Sequence, residues 1–256
     1  MIKKIYKRLV PEKNRIHIHF FINKLTSFFY RGNTYYCNCC NRSFRKFKPK
    51  GNTLVERANA ECPYCGSLER IRNLLFYIEN ETDLLTGTYS LLHFAPENSL
   101  LPVFRKNKNL NYITADINQN MAEYQIDIMN ISYPDNSFDY IICLHVLGHV
   151  PDEKKAIKEL FRVLKTGGTV LIATLIDLNN PHTFETAEAD TPQKRLQYYS
   201  EPDLLRLHGT DFGERLAQGG FNVETINYPL VLGKEIKQKY ALGDGSRELI
   251  FKCTKN

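Results

Sequence analysis

Two sets of side chains in this 256-residue sequence could do chemistry. The first is a pair of C-x-x-C knuckles, Cys37 with Cys40 and Cys62 with Cys65, separated by twenty-one residues. Paired knuckles at this spacing predict a tetrahedral four-sulfur site for a structural zinc, with Cys37, Cys40, Cys62 and Cys65 as ligands. Such a site has no open coordination position, so it carries no reaction. It supplies roughly 10 kcal/mol or more of folding free energy to a segment too small for its own core. The competing reading, disulfides or inert buried thiols, suits an oxidising compartment. Cys39 is a spectator between the ligands, and Cys143 and Cys253 read as small apolar fillers. The Cys65-Gly66 turn is expected to aim backbone amides at thiolate sulfur.

The second set is His93, Asp116, Asp127, His145 and His149, which fall at or near the ends of short apolar runs. Those runs alternate with a helical pattern between Tyr89 and Leu175, the mark of a parallel sheet with helices on its faces. Strands are expected at 89–94, at 111–115, at a short run ending near Ile126, at 139–144 and at 169–175. A helix from about Asp152 to Leu164 carries Ala156, Ile157, Leu160, Phe161 and Leu164 at helical spacing, with Asp152 as N-cap. Thr166-Gly167-Gly168 is expected to stop it, a glycine taking the left-handed C-cap. Ligands bind such sheets at the carboxyl ends of the strands. A carboxylate after the second strand can accept both hydroxyls of a ribose, and one after the third can accept an adenine amino group. Singly, each Asp is also an ordinary turn residue.

The run TYSLLHFAPE, then NYITAD, DNSFDYIICLHVLGHV and ELFRVLKTGGTVLI, resembles class I S-adenosylmethionine-dependent methyltransferases. The knuckles in YYCNCCNRSFRKF and CPYCGSLERIR resemble the zinc-ribbon start of an HFAPE-type subgroup, extending the likeness to most of the chain. The resemblance implies an α/β fold: a seven-stranded Rossmann-like sheet with the last strand antiparallel, plus a small N-terminal zinc ribbon. It implies S-adenosylmethionine as cofactor, with Asp116 and Ile117 at the ribose and Asp127 and Ile128 near the adenine. The turn His93, Phe94, Ala95 and Glu97 would face the methionine end, with Leu144 and His145 beside it. Two departures stand out: the HFAPE turn lacks the family's usual glycines, and Gly148 stands where the family often has Glu between two histidines.

Methyl transfer from a sulfonium is an in-line displacement, in which the protein positions the reactants and stabilises changing charge. A hydroxyl acceptor also needs a general base. The catalytic candidates are His149, the better base, and His145, which reads as packing beside the cofactor. The alternative for His149 is a hydrogen bond at the helix start, and His93 would contribute through its backbone alone.

The chain is long enough for one α/β core and a small extra module. Residues 1–35 are expected to form a basic amphipathic segment, 36–66 the zinc ribbon, and 67–256 the methyltransferase domain with a cover at about 176–209. Residues 1–50 hold thirteen Lys and Arg against Glu12 alone, a net +12, whereas the other 206 residues carry −6. Ile2, Ile5 and Leu9 share one helical face before Pro11. Ile18, Phe21, Ile22, Leu25, Phe28 and Phe29 form a second stripe. That stripe could pack on the protein's own core, lie on an anionic membrane surface, or accompany bases that contact nucleic-acid phosphates. No apolar run reaches the roughly 18 residues of a membrane span, and no secretory leader is evident. The expected location is cytoplasmic, with peripheral contact at the inner face of the membrane as an option.

Ser67 is expected to cap a helix marked by Leu68, Ile71, Leu74, Leu75 and Ile78. The polar stretch 176–200 reads as an active-site cover or a disordered acidic loop, with Tyr198 and Tyr199 stacking on a ligand or anchoring it. Arg206, His208 and Asp211 are acceptor-site candidates through the resemblance, Arg206 being otherwise a surface ion pair. FNVETINY and SRELIFKCT supply strands six and seven. The acceptor favoured by this reading is a hydroxyl of a glycan or lipid-linked sugar. The alternatives are RNA methylation using the basic arm and ribbon, or a non-catalytic cofactor-binding interaction protein.

Overall fold

The computed structural model describes residues 12–51, 56–246 and 248–256. The expected Ile2, Ile5 and Leu9 face and its Pro11 stop lie outside them. Helix α1 (Glu12–Thr26) runs into a 3-10 turn, Ser27–Tyr30. Two antiparallel hairpins follow, β1 (Arg31–Cys37) with β2 (Arg42–Phe44) and β3 (Lys48–Gly51) with β4 (Glu56–Glu61). Helix α2 (Glu69–Glu81) then leads into β5 (Tyr89–Phe94), α3 (Leu101–Lys106), β6 (Leu110–Asp116), β7 (Tyr124–Gln125) and β8 (Phe138–Leu144). The chain continues through α4 (Glu153–Val163), β9 (Leu164–Ala173), α5 (Pro192–Tyr199), α6 (Phe212–Ala217), β10 (Asn222–Ile226), α7 (Tyr228–Val231), α8 (Lys234–Tyr240) and β11 (Ile250–Thr254).

Strands β5 to β11 form one seven-stranded sheet in the order β10-β11-β9-β8-β5-β6-β7. Pairing is parallel except at β11, which lies antiparallel between β10 and β9. The inner strands read as continuous apolar runs because both faces are covered. Alternate residues point to opposite sides. Leu92, Phe94, Ile141, Cys143, Val170 and Ile172 meet Ala156, Ile157, Leu160 and Val163 of α4 and Phe212 and Leu216 of α6. Leu91, Ile142, Leu144 and Leu171 meet Ile71, Leu74, Leu75 and Ile78 of α2 on the other face. Phe44, Phe47, Cys37 and Cys62 join that second cluster, so the knuckles and the sheet share one core. Truncating a fully buried side chain such as Leu160 to Ala costs about 2–5 kcal/mol.

Arg72 ties the knuckles to the C-terminal half. Its guanidinium is fully buried and donates to the carbonyls of Ala60, Ser67, Tyr240 and Ala241. It also lies 4.6 Å from the Phe47 ring centroid. Four carbonyl acceptors satisfy a charge that would otherwise be costly to bury.

Four local expectations are corrected. Helix α4 begins on Asp152, whose Oδ1 accepts from the Lys155 amide at 2.9 Å, but no glycine caps its end. Leu164 is already extended (φ −75°, ψ 135°) and fully buried, because the sheet takes it opposite Phe138. Gly167, at φ 78°, sits within β9, alongside the register shift between Phe138 and Tyr140 of β8. Ser67 does not cap α2; Leu68 is the capping residue, without a side-chain bond, and the Ser67 hydroxyl lies 3.2 Å from Cys37 Sγ. The stripe on α1 does not pack on the protein's own core: Phe21 is 63% exposed and Phe29 71%. Finally, 176–200 is ordered around α5 and the fully buried Tyr199, not a disordered loop.

Candidate functional site

The carboxyl ends of β5, β6, β7 and β8 form one edge, since β6 pairs in parallel with both β5 and β7. Asp116 ends β6 opposite Gln125 of β7, and the Ile126 amide donates to the Asp116 carbonyl at 3.0 Å. Asp127 is therefore one step past its neighbour on the same edge. Each carboxylate uses Oδ1 to hold its own turn, from the Asn118 amide at 2.7 Å and the Met129 amide at 2.8 Å. Ile117, beside Asp116, is 68% exposed at this rim, whereas Ile128 is buried under it.

The turn after β5 holds its shape without glycine. Ala95 adopts the left-handed region (φ 46°), and its amide continues the ladder to the Ala115 carbonyl at 2.9 Å. His93 and Phe94 are buried, and His93 Nε2 lies 2.9 Å from Glu97 Oε2. The Glu97 carboxylate is thus engaged with the strand end. The Tyr112 hydroxyl lies 2.9 Å from His93 Nδ1, and burial pushes its pKa up, keeping the phenol protonated. Tyr112 was missed because it reads from sequence as one more residue of a β run.

Strand β8 ends the same way. Leu144 is buried, His145 is left-handed (φ 54°), and its amide donates to the Ala173 carbonyl at 2.7 Å. Left-handed non-glycine residues cost free energy and persist where surrounding structure over-determines them. His145 borders a cavity of about 40 Å³ with Arg57, Glu69, Arg70, Leu175, Glu201 and Glu248. His149 closes the 3-10 turn Leu147–His149, with its side chain 30% exposed. Its Nδ1 lies 3.1 Å from the Asp203 carbonyl oxygen. A carbonyl only accepts, so Nδ1 carries the hydrogen and Nε2 keeps the basic lone pair. Both imidazoles therefore border the stretch Glu201 to Asp203.

Gly148 has a steric reason to be glycine. A Cβ there would lie 2.7 Å from Leu204 Cδ2, and the Gly148 carbonyl accepts from the Leu205 amide at 2.9 Å. The segment 204–208 occupies the space a glutamate would need. Arg206 is not a surface ion pair. It is 3% exposed and donates to the carbonyls of Leu147, Val150 and Pro151, with Glu185 at 2.7 Å. These bonds clamp the backbone on both sides of His149. His208 is likewise buried between Thr174 Oγ1 and the Glu153 carboxylate, which also receives Arg215. Burial alone would raise the Glu153 pKa, but His208 and Arg215 outweigh it and hold the carboxyl below its ordinary value. Glu153 reads from sequence as an exposed first-turn acid; only the cover folding back makes it buried. Asp211 accepts from Thr183 Oγ1 at 2.7 Å, the Tyr199 hydroxyl from the Thr186 amide at 3.0 Å, and Tyr198 donates to Glu188 at 2.6 Å. All three anchor the cover.

The Sγ atoms of Cys37, Cys40, Cys62 and Cys65 lie within 4.8 Å of one another. Cys37 and Cys65 are 3.6 Å apart, and Cys40 and Cys62 3.8 Å. A tetrahedral zinc with sulfur at about 2.3 Å requires edges of about 3.8 Å, so the four sulfurs fit that ion. The Gly66 amide donates to the Cys62 carbonyl at 3.0 Å, not to sulfur as expected from the knuckle. The Ser67 hydroxyl takes that place, 3.3 Å from Cys65 Sγ. Cys39 stays outside the cluster, and none of the seven cysteines is in a disulfide. No described helix is long and apolar enough to cross a membrane.

Residues 96–213 match the family described as a methyltransferase domain. Over 127 residues, 50% of this chain and 44% of the relative, the sequence is 30% identical to a tRNA U34 carboxymethyltransferase of Helicobacter acinonychis. It is 51% identical over 45 residues, 18% of this chain and 19% of the relative, to a demethylmenaquinone methyltransferase of Staphylococcus epidermidis. It is 43% identical over 63 residues, 24% of this chain and 25% of the relative, to a ubiquinone/menaquinone biosynthesis C-methyltransferase of Rickettsia akari. The matches thus span less than half the length of these curated relatives. The match to the methyltransferase-domain family runs from the turn after β5 to the start of α6, within a seven-stranded sheet in which β11 is inserted antiparallel, as the resemblance to class I methyltransferases implies.

Proposed function

We propose that the chain transfers a methyl group from S-adenosylmethionine to a hydroxyl of a glycan or lipid-linked sugar, with His149 as general base. The observation that supports this reading most is the shared edge carrying Asp116 and Asp127 beside the left-handed turn at Ala95. On it, Asp116 with Ile117 holds the ribose and Asp127 with Ile128 the adenine. The backbone of His93 to Glu97, with Leu144 and His145, borders the methionine end. The bound donor supplies an electrophilic methyl on a sulfonium. His149 Nε2 takes the acceptor hydroxyl's proton, and the ring then carries a positive charge. The Asp203 carboxylate, 3.8 Å from Nδ1, favours that charge, weakly because the acid is largely exposed. The knuckles hold a structural zinc, and 36–66 and 67–256 act as one body through their common core.

A second acceptor class, RNA, has two supports: the name of the Helicobacter relative and the +12 charge of residues 1–50. The deciding experiment is incubation of the full chain with methyl-labelled donor and fractionated cell extract. Label in saccharide or lipid-linked saccharide supports the first reading; label in RNA alone replaces it. Bound S-adenosylhomocysteine with no transfer to any fraction would leave a non-catalytic binding protein. His149→Gln is expected to lower turnover about 10²–10⁴-fold while donor affinity stays.

A further inference from the structure

Helix α1 docks through half-buried Phe20 and buried Asn23, both beside Gly66, and leaves its wide apolar stripe outward. Asn23 and, in the turn that follows, Ser27 are buried, and Asn23 Oδ1 accepts from Lys48 Nζ at 2.7 Å. At about 100° per residue, Ile18, Phe21, Ile22, Leu25, Phe28 and Phe29 lie on the opposite side. Their exposures run from 39% at Ile18 to 71% at Phe29. Large apolar side chains facing out while an asparagine faces in reverses the usual order of burial. A contiguous patch of this kind marks an interaction surface.

The rim of the patch is basic. Lys24, Arg31, Arg42, Arg45 and Lys46 are exposed around it. Arg31 lies 4.5 Å from the Phe28 ring centroid and Arg42 4.0 Å from that of Tyr64. We propose that the Ile18–Phe29 stripe docks on an anionic lipid surface. Its apolar side chains enter the boundary between headgroups and acyl chains, and the basic rim meets the headgroups.

Charge selects this occupant. A second copy would bring one strongly basic segment against another, which opposes self-association. Nucleic-acid phosphates would satisfy the bases but give no role to Ile18, Ile22 and Leu25. The inference stands apart from the acceptor reading, since vesicle binding and methyl transfer are measured separately.

The test is co-sedimentation of the full chain with vesicles of phosphatidylcholine alone and of phosphatidylcholine mixed with phosphatidylglycerol. Binding is expected only to the mixture and should weaken with salt. It should fall at least about tenfold in the double variant Phe21→Asp, Leu25→Asp. Both positions are exposed, so metal content and circular dichroism should match the parent. The chain has no tryptophan, so Phe29→Trp provides a single fluorescent reporter that should shift to the blue on anionic vesicles alone. Failure of the parent chain to bind the mixture, equal binding by the double variant, a dimer that the double variant dissociates, or RNA binding without vesicle binding would each overturn the inference.

Discussion

His93 Nε2 lies 2.9 Å from the Glu97 carboxylate four residues on, with the imidazole fully buried at the end of β5. The carboxylate accepts, so Nε2 carries the hydrogen and Nδ1 accepts from Tyr112. These bonds hold the end of β5 and the HFAPE turn together, while Ala95 itself takes the left-handed conformation that glycine adopts at no steric cost. Glu97→Ala should therefore cost about 1–3 kcal/mol by leaving the His93 donor unpaired. Donor affinity, measured by calorimetric titration with S-adenosylhomocysteine, should fall with it.

Ala95 gives a complementary test of the same turn. It carries the left-handed penalty of an L-residue, about 1–2 kcal/mol, which glycine avoids at a flexibility cost of about 0.5–1 kcal/mol. Ala95→Gly should leave stability unchanged or raise it by up to about 1 kcal/mol, whereas Ala95→Val should lower it by more than about 1 kcal/mol. Urea unfolding midpoints check both.

Asp116→Asn and Asp127→Asn keep an Oδ1 acceptor for the turn amides but remove the charge. Each should lose charge-assisted bonds to the donor, worth about 1.5–3 kcal/mol, or roughly 10–100-fold in donor affinity. Full affinity in the double variant, by the same titration, would remove the nucleoside from this edge.

Glu153 predicts the acid limb of stability. Its pKa is lower in the folded state than when unfolded, so its contribution is complete above the ordinary carboxylate value. That contribution is lost as pH falls below the ordinary value and through the folded one. Glu153→Gln should cost about 3–5 kcal/mol at neutral pH by stranding buried partners. It should also flatten the loss of stability at acid pH, read from denaturant midpoints across pH.

Gly148→Glu is the substitution suggested by the family pattern, and here it should harm. The new side chain must displace Leu204 and the chain that Arg206 pins to Leu147, Val150 and Pro151. Overpacking of this kind costs about 1–3 kcal/mol. Protease cleavage within 176–209 should quicken. Gly148→Ala meets only the flexible tip of Leu204 and should be mild.

Removing the proposed zinc with a chelator should do more than loosen residues 36–66. Cys37 and Cys62 pack in the same cluster as Leu74 of α2, Ile142 of β8 and Leu171 of β9. Loss of the ion should therefore lower the melting temperature of the whole chain, followed by calorimetry with and without added zinc.

Periodicity was enough to locate the strands from Tyr89 to Leu144 and the helix after Asp152, though not the early start of β9 at Leu164, because buried strands and amphipathic helices write their burial into local residue order. The convergence of Cys37, Cys40, Cys62 and Cys65 was legible for a similar reason: knuckle spacing is local. The carboxylates Asp116 and Asp127 could be placed on strand ends, since turns follow apolar runs. The rest depended on which distant segments meet. Arg206 and His208 look like surface or acceptor residues until 176–209 folds back on α4 and buries them against Glu153 and the carbonyls around His149. The stripe on α1 has the pattern of a core helix, yet Asn23 and Lys48 decide that its other side docks. A hydrophobic pattern states that a face avoids water; it does not state what covers that face.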